Sequence, residues 1–126
     1  PPSKRALILI DPPYEDKNDY RKVISALKDS QRRFPKGVYA IWYPLLPRDD
    51  SKDLVRRLRG LSSDNYLHAQ LCVQAERGSH GMYGSAMFVI NPPWQLQEQL
   101  QEIMPVLQTL LANNESKPFE LNAVIA

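Results

Sequence analysis

Leu7-Ile8-Leu9-Ile10-Asp11-Pro12-Pro13-Tyr14 is the stretch that decides the fold. Four consecutive apolar residues, two of them β-branched, read as a short strand buried on both faces. Two prolines cannot extend a sheet ladder, so the strand ends at Ile10. Proline fixes φ and restricts the residue before it, which makes the corner stiff and extended. Asp11 and Tyr14 are therefore expected to project from a rigid turn at the strand's C-terminal end, where a catalytic acid and an aromatic ring can be aimed.

Outward from that strand the pattern alternates. Glu15 to Asp19 leads into a helix with Asn18 or Asp19 as N-cap; Tyr20, Val23, Ile24, Leu27 and Phe34 share one face, and Pro35-Lys36-Gly37 stops it. Val38 to Tyr43 is a strand by its β-branched and aromatic content, closed by Pro44. Asp49-Asp50-Ser51 offers capping oxygens to a second helix, whose Leu54, Val55, Leu58 and Leu61 form an apolar stripe. Tyr66 to Val73 alternates, with Leu67, Ala69, Leu71 and Val73 on one side and Tyr66, His68, Gln70 and Cys72 on the other. Alternation predicts a strand near a sheet edge with one less buried face, and a solvent-facing His68.

Gly78, Gly81 and Gly84 punctuate the connection from Glu76 to Ser85. It opens onto another strand, Ala86 to Ile90, whereas an anion-holding cofactor loop opens onto a helix N-terminus, so a turn between antiparallel neighbours is expected. Asn91-Pro92-Pro93-Trp94 repeats the shape of the first corner. A closing helix from Trp94 to Leu110 carries Pro105 as a kink or restart. Phe119 to Ala126 is either an edge strand or an ordered tail.

At 126 residues, with 43% hydrophobic and 24% charged, the chain has the size and composition of one folded domain. A net charge of +2 is smaller than the surplus of a dedicated nucleic-acid binder. The clusters Lys4-Arg5, Arg32-Arg33-Lys36 and Arg56-Arg57-Arg59 read first as solvated faces. No apolar run reaches bilayer-spanning length and no charged-then-apolar leader opens the chain, which gives a cytoplasmic expectation. Cys72 is the single cysteine and lacks metal-ligand companions at useful spacing, so no metal is expected.

Asp-Pro-Pro-Tyr after an apolar strand resembles motif IV of the amino-methyltransferases, which move a methyl group from S-adenosylmethionine to an exocyclic amine of a nucleobase. The chemistry explains the residue types. The adenine N6 lone pair is delocalised into the ring, and the amine attacks only when a tetrahedral, charge-bearing nitrogen is favoured. Asp11 accepting one N6 hydrogen and the Pro12 carbonyl accepting the other stabilise that developing charge. Pro13 stiffens the corner, and Tyr14 is expected to stack on a base taken out of its helix. Asn-Pro-Pro-aromatic is also a form of motif IV, but the chain after Trp94 is too short to complete the sheet such a strand sits in.

Three runs in order, Leu7 to Glu15, Gly37 to Pro44 with Trp42-Tyr43-Pro44, and Val89-Ile90-Asn91-Pro92-Pro93-Trp94, are similar to the RlmJ family of bacterial 23S ribosomal RNA adenine-N6 methyltransferases. Ala86 departs from the family's pattern, where Gly precedes the Met. The resemblance implies an α/β fold: the C-terminal half of a Rossmann-like class I methyltransferase, with a mostly parallel sheet and one antiparallel strand. It assigns residues 1–112 to the catalytic domain from motif IV onward and 113–126 to a C-terminal tail or edge strand. The family's other half holds S-adenosylmethionine, so the resemblance implies that this chain binds the cofactor weakly or not at all alone, with the N-terminal half and ribosomal RNA as its partners. A crevice outside the carboxyl ends of the parallel strands then gathers Asp11 to Tyr14 with Tyr43, Arg48, His80, Met82 and Tyr83 as substrate-binding candidates. Trp94 is left as a structural residue packed over the opposite rim. A DNA adenine or cytosine amino-methyltransferase and a non-catalytic nucleic-acid-binding fragment are the alternatives.

Overall fold

The computed structural model describes residues 2–47, 50–76 and 81–126. Its elements are β1 (Leu7–Ile10), α1 (Lys17–Arg33), β2 (Val38–Leu45), α2 (Asp50–Leu61), β3 (Tyr66–Cys72), β4 (Gly84–Ile90), α3 (Leu96–Leu111) and β5 (Glu120–Val124). The strands form one mixed sheet in the order β1-β2-β4-β3-β5.

β1, β2 and β3 share one direction, yet only β1 and β2 touch in parallel. β4 returns antiparallel to β3 and inserts between β3 and β2, and β5 adds antiparallel to the other side of β3. Three of the four pairings are therefore antiparallel. This corrects the expectation of a mostly parallel sheet with one reversed strand: a single reversed strand placed between two like-directed ones converts their contact into two antiparallel ladders, and the final stretch supplies a second reversed strand. The end of the chain is thus an edge strand.

Both faces of β3 are covered. Tyr66, His68 and Cys72 lie toward α1 and α2, in a core with Leu27, Tyr39, Ile41, Leu58 and Phe88. Leu67 and Ala69 lie toward α3 in a smaller cluster with Val89 and Met104. Hence the polar side of the alternation does not face water, and His68 is 1% exposed. β1 errs in the other direction. Ile8 and Ile10 pack into the larger core, but Leu7 is 71% and Leu9 62% exposed, because α3 lies over β3 and β5 and leaves that face of β1 bare. The strand is buried on one face, not both.

Local chemistry moves several boundaries. The N-cap of α1 is Asp16, whose side chain accepts from the Asn18 amide at 2.9 Å; Asp19 closes the capping box by accepting from the Glu15 and Asp16 amides. Pro44 does not end β2. β1 stops at Ile10, level with Ile41, so Pro44 sits where β2 has no neighbour on that side and its missing N–H costs no ladder bond. α3 begins at Leu96 and continues through Pro105 as one helix. The cap of α2 lies partly outside the described residues.

Candidate active corner and adjoining cleft

Asp11 follows the last residue of β1, at the rim where β1, β2 and β3 end and β4 begins. Its side chain is exposed, and among the described residues no ion pair or hydrogen bond holds it. The neighbouring Pro12 carbonyl is likewise taken by no described hydrogen bond. Two acceptors from consecutive residues, a carboxylate and a carbonyl, are therefore without a hydrogen-bond partner among the described residues, on a corner stiffened by Pro12 and Pro13. Such a pair suits an amino group that gives up two hydrogens in the same plane.

Tyr14 departs from the expected geometry. Its backbone is left-handed, φ +54°, so the corner is not extended throughout. Its ring is 3% exposed, 4.9 Å from the Tyr20 ring and 6.2 Å from that of Trp42, and its hydroxyl donates to the Trp42 carbonyl at 2.6 Å. Burial, followed by the Tyr20, Asp11, Tyr43 and Asp19 oxygens, pushes its phenol well above the usual range, so it is a fixed donor. A ring enclosed on this scale has no face to offer a base. A non-glycine residue held at positive φ costs about 1–3 kcal/mol, and here the buried ring and its hydrogen bond hold the corner in that conformation. Tyr14 ties the Asp11 corner to β2.

Beside the corner, between α2 and the ends of β2 and β3, lies a cleft of about 610 Å³. Tyr43 and His68 form its floor, with the Tyr43 hydroxyl 2.6 Å from His68 Nε2. Both side chains are buried, so Tyr43, a substrate-binding candidate by sequence, lies in the floor of the cleft. Gln70 brings its amide nitrogen to 3.4 Å from His68 Nε2. Tyr83 lines the cleft half-buried; its amide donates to Leu45 and its carbonyl accepts from Val73 and Gln74. Met82 is exposed, and its carbonyl accepts from Gln74 Nε2 at 3.0 Å. Arg48 and His80 lie outside the described residues.

Lys52, Val55, Arg56 and Arg59 present one stripe of α2 to this cleft, at i, i+3, i+4 and i+7. The sequence reading took the Arg56-Arg57-Arg59 cluster as a solvated face; the stripe was the signal that would have pointed to a lining. His68 and Gln70 were missed because their side of β3 was taken as outward. Burial, then the charge of Arg59, lowers the His68 pKa to about 4. The sign follows directly. A histidine whose folded pKa is depressed keeps its stabilising neutral form at neutral pH and loses it as the pH falls through the ordinary value of about 6.5 toward 4. Wild-type protein is expected to lose about 2 kcal/mol of unfolding free energy between pH 7 and pH 5 from this group, and a His68→Gln variant to lack that component. Urea denaturation at both pH values measures the difference.

The second diproline corner sits at the opposite rim. Asn91, at φ +57°, donates from Nδ2 to the Pro35 carbonyl at 3.0 Å and the Gly37 carbonyl at 2.9 Å, and its amide bonds to the Asn65 carbonyl at 3.1 Å. Its amide side chain is committed to clasping the α1–β2 connection. Trp94 does not pack over this rim; it is 84% exposed. Among the described residues no group of three or more His, Cys, Asp or Glu is gathered around a metal-sized site, and no helix is long and apolar enough to cross a membrane.

An α/β protein with an open mixed sheet, carrying an acidic diproline corner at the C-terminal end of a parallel edge strand, is what the fold and site define. The family model described as "RsmJ: Ribosomal RNA large subunit methyltransferase D, RlmJ" matches residues 1–120, and the chain belongs to this family. Two relatives named "Ribosomal RNA large subunit methyltransferase J" are 41% identical (Escherichia coli strain K12) and 42% identical (Haemophilus influenzae) over 111 residues. Each match covers 88% of this chain and 40% of the relative, so the chain spans well under half the length of these proteins. The crystal structure of protein LPL1258 from Legionella pneumophila superposes with a TM-score of 0.85 at 28% identity, over 98% of this chain and 45% of that one.

Proposed function

We propose that this chain supplies the amine-activating corner of a cytoplasmic enzyme that methylates adenine N6 in 23S ribosomal RNA. The observation that carries the reading is the exposed, unpaired Asp11 beside the free Pro12 carbonyl, on a corner held by the buried Tyr14. The family and the names of the relatives support the same class of reaction.

In this reading the target adenine presents its amino group to the corner. Asp11 accepts one hydrogen and the Pro12 carbonyl the other, favouring a tetrahedral nitrogen whose lone pair is localised on it instead of delocalised into the ring. Positive charge developing on nitrogen is stabilised by the carboxylate, which also stands ready to take the surplus proton. Tyr14 acts as a positioning residue by fixing the backbone that aims both acceptors. S-adenosylmethionine, when bound, supplies the methyl group. The described residues do not fit a cradle for it: the glycine-bearing connection of this chain leads into β4 and not into a helix N-terminus, so we assign cofactor holding to the remainder of the family's chain.

The bare side of β1 fits that assignment. No described strand pairs the outer edge of β1, and Leu7 and Leu9 stand open on the face not covered by α3. Covering them contributes roughly 1.5–3 kcal/mol each. The order β1-β2-β4-β3, with one reversed strand inserted, supports reading these elements as the second half of a Rossmann-like sheet whose first half docks on β1.

The test is nucleoside mass spectrometry of 23S ribosomal RNA and of DNA from a strain lacking the gene, against the complemented strain. Loss of N6-methyladenosine from the ribosomal RNA alone is the expected result. Loss of a methylated base from DNA would transfer the activity to that polymer, and no change in either would overturn the enzymatic reading.

A further inference from the structure

The cleft beside the corner carries chemistry that methyl transfer at Asp11 does not use. On the α2 stripe Arg56 is tied to Asp53, which also holds Arg57. Arg59 has no carboxylate partner among the described residues. It lines the cleft over a floor of neutral hydrogen-bonding groups, Tyr43, His68 and Gln70: burial pushes the Tyr43 phenol up and, with the Arg59 charge behind it, holds the His68 pKa down, so both stay neutral. Glu76 is the only acid among the described residues lining the cleft. A guanidinium without a described carboxylate partner over a neutral polar floor, beside Lys52 and Arg56 against the single described acid Glu76 and with the half-buried Tyr83 ring alongside, makes a cleft with a surplus of positive charge and one aromatic surface. Guanidinium with phosphate and tyrosine with a base are the pairings by which unpaired nucleotides are held.

Position narrows the ligand further. Tyr43 follows Trp42, whose carbonyl receives the Tyr14 hydroxyl, and β2 lies about 4.8 Å from β1. The cleft and the Asp11 corner therefore lie toward the same rim of the sheet, with Tyr14 and β2 between them. A volume of about 610 Å³ is that of a small-ligand pocket and holds one nucleotide.

We infer that this cleft is a second nucleotide subsite, taking a nucleotide of the RNA other than the methylated adenine, with its phosphate on Arg59 and its base against Tyr83 over the Gln70 amide. The inference rests on the proposed RNA substrate. It makes the α2 stripe a determinant of which RNA strand is held across the corner, and it gives the buried Tyr43–His68 pair the task of keeping the floor neutral and shaped.

The experiment uses the complete enzyme and an unmodified 23S ribosomal RNA transcript, without cofactor, and measures the dissociation constant across a series of salt concentrations. Arg59→Ala is expected to weaken binding about tenfold and to lower the salt slope by about one, as loss of one phosphate contact does. Tyr83→Leu is expected to weaken binding with the slope unchanged. Arg57→Ala, an equal loss of charge on the same helix outside the cleft, is the control and is expected to change affinity less than twofold. Arg59 is exposed, so its removal leaves the fold intact and its result decides. Equal effects of Arg59→Ala and Arg57→Ala, or no effect of either, would overturn the subsite. Failure of the wild type to methylate the same transcript would instead overturn the enzymatic proposal, a separate outcome because the binding arm needs no turnover.

Discussion

Asp11→Asn in the complete enzyme is expected to lower kcat by at least about 10³-fold while leaving the melting temperature unchanged. The first half follows from the role proposed for the carboxylate: an amide oxygen still accepts a hydrogen bond but offers no negative charge to the developing ammonium. Removing one preorganised group at such a position costs about 10²–10³ in kcat, and here the charge and the proton acceptor go together. The second half follows from exposure. Asp11 is exposed and makes no ion pair or hydrogen bond among the described residues, so the substitution sits in the class whose stability effects stay within about 0.5 kcal/mol. Single-turnover methyl transfer, read beside a thermal melt, checks both. Retention of more than a tenth of wild-type turnover would mean that another group activates the amine.

That separation of activity from stability distinguishes the two diproline corners, which look alike in sequence. Asn91 spends its side chain on the Pro35 and Gly37 carbonyls, whereas Asp11 has no such partner among the described residues. The sequence reading placed the chemistry on the first corner by counting the chain left for a sheet. The structure offers an independent reason, since one acid is free and the other corner's amide is already bonded.

What local sequence could show was the succession of elements, because helix periodicity, capping acids and β-branched runs act within a few residues of themselves. The antiparallel pairing of β3 with β4 was legible for the same reason: a glycine-punctuated connection opening onto a strand leaves few choices, although residues 77–80 of it lie outside the described residues. The facts that were not legible depend on partners distant in sequence. An alternating strand reads the same whether its polar face meets water or a second helical layer, and His68 was misplaced because α1 and α2 cover that face. An apolar run reads the same whether or not its outer face is covered, and Leu7 and Leu9 proved bare. Tyr14 was misplaced because proline arguments stop at the residue they constrain, while its ring was drawn inward by Tyr20 and Trp42. The cleft was invisible as a unit, since Arg59, His68 and Tyr83 come from α2, β3 and the connection before β4, which are distant in sequence.

That insertion depends on a position where no side chain fits, and the two glycines Gly84 and Gly60 give opposite expected results for the same substitution. Gly84 opens β4 between Leu45 of β2 and Cys72 of β3. A Cβ built there would lie 2.3 Å from the Leu71 carbonyl oxygen, 2.9 Å from Cys72 Cα and 3.0 Å from Leu45 Cδ1. Two of these are backbone atoms of a strand paired on both sides, so relief requires moving β3 and not merely turning a side chain. Gly84→Ala is expected to destabilise the protein by roughly 3 kcal/mol or more, at and beyond the upper end of ordinary overpacking, and to disturb the adjoining Tyr83 and the cleft floor with it. Gly60, within α2, has nothing within 4 Å of its virtual Cβ and is exposed. There the methyl group removes backbone entropy from the unfolded chain and improves helix propensity, so Gly60→Ala is expected to stabilise by about 0.5–1 kcal/mol. Urea denaturation of both variants checks the pair. A neutral Gly84→Ala would mean that β4 does not approach β3 this closely, and the shared rim on which the corner and the cleft are both placed would have to be redrawn.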